Sequence, residues 1–195
     1  SSPAENGGTI LFARGAIMDE DVEFEDNVEL ARSLLGSTEE GVDLWEANDA
    51  CNRALTLRPV DAHAWLLKCQ ILSALDDDCA ALASAEMALR RAPRLAEAHY
   101  WRGAVLGDLH RHDEALKAID RAFRCLSPED DWLLEDLYYE KASLLDSLGR
   151  RDAAVATYEA GLERCPESAI LKAGLEPLRR QVVRSSLKVI NGGLS

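Results

Sequence analysis

Three groups of residues in this chain have the types that could do chemistry, and their spacing decides what is open to them. Asp76, Asp77 and Asp78 are consecutive. Carboxylates in a row cannot converge on one ion without a loop that cages it. A helix-loop-helix calcium site needs alternating ligands, a central Gly and a closing Glu, and none is arranged that way here. His110 and His112 flank Arg111 just before Asp113. Zinc held on a helix takes His at i and i+4, so this group reads as the polar content of a turn. Cys51, Cys69, Cys79, Cys125 and Cys165 are odd in number and include no Cys-x-x-Cys. Cys125 and Cys165 occupy nearly matching places before prolines and read as packing residues rather than nucleophiles. Such cysteine usage fits a reduced, cytoplasmic protein. A glycine-rich phosphate loop, a Gly-x-Ser-x-Gly elbow and a His-Glu-x-x-His pair are all missing from the sequence. The residues therefore point away from an enzyme, and no cofactor or metal is expected.

The elements that would position any site are legible in a repeating ladder. Ala47, Cys51, Ala54 and Pro59 recur as Ala81, Ala85, Ala88 and Pro93, each 34 residues later. The frame continues as Ala115, Ile119, Ala122 and Pro128, with one residue added before the proline. It returns as Ala154, Tyr158, Gly161 and Pro166 after a five-residue insertion. Small residues at i, i+4 and i+7, closed by proline at this period, mark stacked helix-turn-helix units. Upstream of each ladder an aromatic or His is followed four residues on by a small residue: Trp65 and Cys69, His99 and Gly103, Tyr138 and Ala142. Helices approach closely only where side chains are small. The pattern predicts helices over about 20–35, 42–57, 61–75, 79–91, 95–109, 113–125, 131–148, 152–164 and 168–190. Ser127-Pro128-Glu129-Asp130 reads as a helix start, with the insertion expected to lengthen the helix after it. Glu176-Pro177 is expected to kink or divide the last helix.

Ladder and helix pairs together resemble the tetratricopeptide repeat family. The resemblance covers residues 28 to 166, and Lys68, Arg102 and Lys141 depart from the family by standing where it usually has Leu. It implies an all-α fold, a right-handed α-solenoid of helix-turn-helix repeats with a C-terminal capping helix. Residues 1–19 would form an N-terminal extension. Residues 20–166 would hold four repeats, about 20–59, 60–94, 95–130 and 131–166, and residues 167–195 the capping helix and tail. The family's geometry implies a concave groove lined by the first helix of each unit. Residues pointing there would be His63, Leu66 and Gln70; Glu97, Tyr100, Trp101, Ala104 and Asp108; and Asp136, Tyr139, Ser143 and Asp146. The family also includes co-chaperones that grip acidic protein tails with cationic residues. In one register the matching places hold Leu66, Gln70, Trp101, Asp136 and Glu140; in the other, Arg32, Gly36, Leu67, Glu97 and Trp101. Neither is a cationic clamp, and Asp136 with Glu140 would repel a carboxylate.

Composition narrows the partner. The formal net charge is −13, from 35 acidic against 22 basic residues, and most of the excess acid lies in residues 1–60. Nucleic acid needs clustered Lys and Arg, so it is not expected. The locally basic stretch from Lys172 to Lys188 reads as the solvated face of a capping helix. No apolar run reaches the roughly 18 residues that would span a bilayer, and no leader is visible in residues 1–8. The expected function is that of an adaptor, with a basic or mixed basic-apolar protein or peptide partner. The alternatives are a self-associating scaffold, hence a homo-oligomer, or the regulatory region of a larger assembly. Ile10, Leu11, Phe12, Ile17 and Met18 are too apolar for a free tail and are expected to pack on the first repeat, in the groove or on a second copy. Gly7, Gly8 and Gly15 argue against a long helix there.

Overall fold

A computed structural model describes the backbone of residues 6–37 and 43–192, and the side chains of residues 19–37, 43–182 and 184. Its regular structure among these residues is entirely helical. In order the elements are α1 (Asn6–Leu35), α2 (Leu44–Leu57), α3 (Ala62–Ala74), α4 (Asp78–Arg91), α5 (Ala96–Asp108) and α6 (His112–Cys125). After a 3₁₀ turn (Pro128–Leu133) come α7 (Leu134–Ser147), α8 (Arg151–Arg164) and α9 (Ala169–Gly192). The chain divides into two compact units, Ser1–Ala92 and Pro93–Ser195.

In the first unit α1 packs on α2 and α3 on α4, and the pairs join through α2 with α3 and α1 with α3. The ladder residues Ala47, Cys51 and Ala54 are fully buried in a core with Phe24, Ala31, Leu67 and Ile71. Arg58 closes its edge. The guanidinium lies 4.0 Å from the centre of the Phe24 ring and reaches Asp21 at 2.7 Å and Glu25 at 3.2 Å. Side chains of Asp43, Asp61 and Asp77 cap α2, α3 and α4, satisfying backbone N–H groups that the first helical turn leaves open.

The second unit repeats the plan: α5 packs on α6, α7 on α8 and α9 on α8, with α5 against α7 and α7 against α9. Close approach is enforced by missing side chains. A Cβ built on Gly103 would lie 2.5 Å from Ile119 Cδ1, and one on Gly161 would lie 2.8 Å from Tyr138 Cβ. Ala115, Ile119 and Ala122 are fully buried beneath α5. Leu171, Leu175 and Leu178 seat the first half of α9 on Ala142, Ala154 and Tyr158.

One device ends the first helix of three pairs. The N–H groups of Asp77, Arg111 and Arg150 donate to the carbonyls of Leu72, Leu106 and Leu145 at 2.8–2.9 Å. This closure forces the preceding residue into the left-handed region, with φ of 58° at Asp76 and His110 and 72° at Gly149. Only glycine adopts that geometry without strain. Asp76→Gly should therefore stabilise the chain and Gly149→Ala destabilise it, each by about 1 kcal/mol. Paired thermal melts check both signs.

Two local expectations are corrected and a third is narrowed. Helix α1 begins at Asn6, not near Asp19, and runs through Gly7, Gly8 and Gly15. Each glycine costs about 1 kcal/mol in a helix without forbidding it. The packing expected of residues 9–18 lies outside the described side chains. The inserted residues form the separate 3₁₀ turn and leave α7 as long as α6 and α8. Ser127 closes that turn, donating to Asp130 Oδ2 through both its backbone N–H and its hydroxyl at 2.8 Å. Helix α9 is not divided at Pro177.

Candidate functional site

Gly107 allows α5 and α7 to meet: a Cβ there would lie 3.3 Å from both Glu140 Oε1 and Leu144 Cδ2. This contact gathers carboxylates around an aromatic group. Tyr100 on α5 is half-buried, and its hydroxyl is held well above the ordinary range, first by burial and then by Asp136, Glu140, Asp108 and Glu97. Loss of its proton would add a fifth negative charge to a poorly hydrated place. Glu140 is pushed up by burial and by Asp108, and Asp136 by burial and the adjacent Glu135. The face resists its own ionisation, so a cation would relieve it.

Two aromatic pairs frame these acids. Tyr100 meets Trp101 edge to face at 5.6 Å between ring centres, and Tyr139 meets Tyr158 at 6.1 Å. Tyr158 is pushed up to about 12 by burial and then by Tyr139, Asp146 and Glu140, which ties Asp146 to the same cluster. Lys141 is bound to Asp120 at 2.7 Å, while Arg151 reaches Asp146 at 3.5 Å.

The structure thus brings together Glu97, Tyr100, Asp108 and Asp136 in one electrostatic cluster, with Tyr139 and Asp146 linked to it through Tyr158. Trp101 joins through its ring. Ala104 and Ser143 are half-buried on the same two helices and add no charge. On α3 of the first unit, His63 is exposed and Gln70 half-buried, whereas Leu66 is 3% exposed and serves the core. Glu140 is the member missing from the expected groove set. Its signal was present in the sequence, since Asp136 and Glu140 stand one helical turn apart.

The other chemistry-bearing groups have structural surroundings. Asp77 caps α4, and Asp76 and His110 hold the left-handed positions. All five cysteines are free thiols. Burial pushes the Cys51 thiol up to about 11 and that of Cys69 to about 12, which suppresses the reactive thiolate. Among the described residues no three His, Cys, Asp or Glu are grouped to hold a metal. Nor is any described helix long and apolar enough to cross a membrane.

Stacked helical hairpins with small residues at their contacts define an all-α helical-repeat protein. The family can be stated for one segment: residues 135–168, the α7–α8 hairpin, match the tetratricopeptide repeat model, and the other hairpins share its architecture. Solved structures agree on the fold. The crystal structure of MamA protein superposes with a TM-score of 0.61 at 19% identity over 76% of each chain. A second crystal structure of MamA gives 0.64 at 18% over 79% of this chain and 85% of that one. The MamA RS-1 ArsTM double mutant gives 0.65 at 18% over 80% and 85%. No curated protein sequence matches the chain.

Proposed function

We propose that this chain is a non-catalytic adaptor whose α5–α7 face binds a basic or mixed basic-apolar segment of a partner protein. The tetratricopeptide fold supports a role in protein interaction or scaffolding. The observation that carries the finer reading is the pair of half-buried carboxylates beside Tyr100, Asp136 and Glu140, both pushed up by burial, a cost that a bound cation would relieve. A Lys or Arg would bring the charge, and Tyr100, Trp101 and Tyr139 the contact area at small entropic cost. Nucleic acid, itself anionic, would be repelled. Free thiols fit a reducing compartment, and the cytoplasm is the location proposed.

A fluorescent peptide of alternating Lys and Leu is the probe. Its binding to the full chain, followed by anisotropy, should weaken as salt rises. Tyr100→Ala with Tyr139→Ala should lower affinity at least about tenfold, or roughly 1.4 kcal/mol, without lowering the helical content. Binding insensitive to both salt and the double substitution would remove this face as the site.

A further inference from the structure

We propose that the C-terminal half of α9 in one copy docks on the acidic tyrosine face of α5 and α7 in a second copy, joining chains head to tail. The proposal rests on the reading of that face given above and names its ligand.

Leu178 is the last buried residue among the described side chains of α9, yet the helix continues to Gly192, about 20 Å further. Over this length the chain reverses its charge. A molecule of net charge −13 has no Asp or Glu after Glu176, but carries Arg179, Arg180, Arg184 and Lys188. Val182, Val183, Leu187, Val189 and Ile190 are interleaved with them. That is the mixed basic-apolar composition the face suits.

The spacing matches as well. Arg179 is engaged by Glu159 of its own unit at 2.6 Å. Arg180, whose side chain is 78% exposed, has a long pair with Glu176 at 3.5 Å among the described residues, and Arg184 is exposed. Arg180, Arg184 and Lys188 follow one another at i+4, a rise of about 6 Å per step. Asp136 and Glu140 have the same step on α7. Two helices lying side by side can therefore form two ion pairs at once, and the apolar residues interleaved in the sequence would add contact area with the tyrosines. The first half of α9 is already seated on α7 and α8, and an undivided helix cannot fold back on itself. Docking is accordingly between copies. Donor and acceptor are different surfaces, so the contact is heterologous and leaves a free face and a free tail at the two ends of every chain of copies.

Sedimentation of the full chain at several concentrations and salts tests this. The mass should exceed one chain, grow with concentration at low salt and fall to one chain at high salt. The tail variant R180E/R184E/K188E and the face variant D136K/E140K should each remain single, with D136N/E140Q replacing the latter if it loses helical content. Mixed together, the tail variant and the neutral face variant D136N/E140Q retain one intact donor and one intact acceptor, so they should form a two-chain complex that grows no further. Single-chain mass for the intact protein at every concentration, or unchanged growth in the tail variant, overturns the proposal. A peptide of residues 177–192 and the Lys-Leu peptide separate the two readings. If only the Lys-Leu peptide binds, and D136K/E140K abolishes this, self-docking fails while the acidic face stands. If neither binds, both fail.

Discussion

Ala115→Trp is expected to unfold the second unit. Ala115 is fully buried, and its carbonyl would lie only 3.3 Å from a Cβ on Gly103 across the α5–α6 contact. An indole cannot enter that space unless the helices separate. Overpacking a tight core costs about 1–3 kcal/mol for added methylenes, and a whole ring should exceed that range. This is a large share of the roughly 5–15 kcal/mol that holds a domain. Circular dichroism should show lost helix and a melt beginning well below that of the parent chain. Gly103→Leu attacks the same contact from α5 and should act in the same direction, moderated because Ile119 Cδ1 is the end of a side chain that can turn. An unchanged melt for Ala115→Trp would place the close contact elsewhere.

That contact was legible because small residues at i, i+4 and i+7 have one economical explanation, a second helix lying across them. Ala115 and Ala122 carry the message on α6, and Gly103 answers it from α5 by leaving room for Ile119. Gly149 stands where one turn closes on itself, at a positive φ that suits glycine. Asp76 and His110 concealed the same geometry because their residue types do not demand a positive φ. Helix α1 was misread at its start because glycine weakens a helix without ending it. The 3₁₀ turn was missed because Pro128 and three acids favour the start of either kind of helix, and a capping pair such as Ser127 with Asp130 serves both. At the candidate site, family geometry supplied which helices to inspect. One family register also named Glu140 beside Asp136, but not its approach to Gly107, a contact between residues 33 positions apart.

Glu140→Gln with Asp136→Asn should raise stability at neutral pH while abolishing capture of a basic ligand. Both carboxyls have folded pKa values above their ordinary ones, chiefly because burial disfavours the charge. The folded state therefore favours their protonated forms. Their contribution to stability is fully present below the unfolded pKa values and is lost as pH rises through the folded ones. At neutral pH the parent chain bears that loss, whereas the neutral amides do not. Relief of unfavourable surface charge commonly yields about 0.5–2 kcal/mol, equivalent to a few degrees in Tm for a chain of this size. The gap between parent and variant should close as pH falls below the ordinary carboxylate range, where the parent's two groups are protonated as well. Binding must move the other way. The probe's cations would meet amides instead of anions, and affinity should fall at least about tenfold with a shallower dependence on salt. A variant that is less stable at neutral pH, or a stability gap that persists in acid, would show that these carboxylates support the fold rather than strain it. The acidic face would then be structural, because groups retained for binding at a cost to stability should release that cost when their charge is removed.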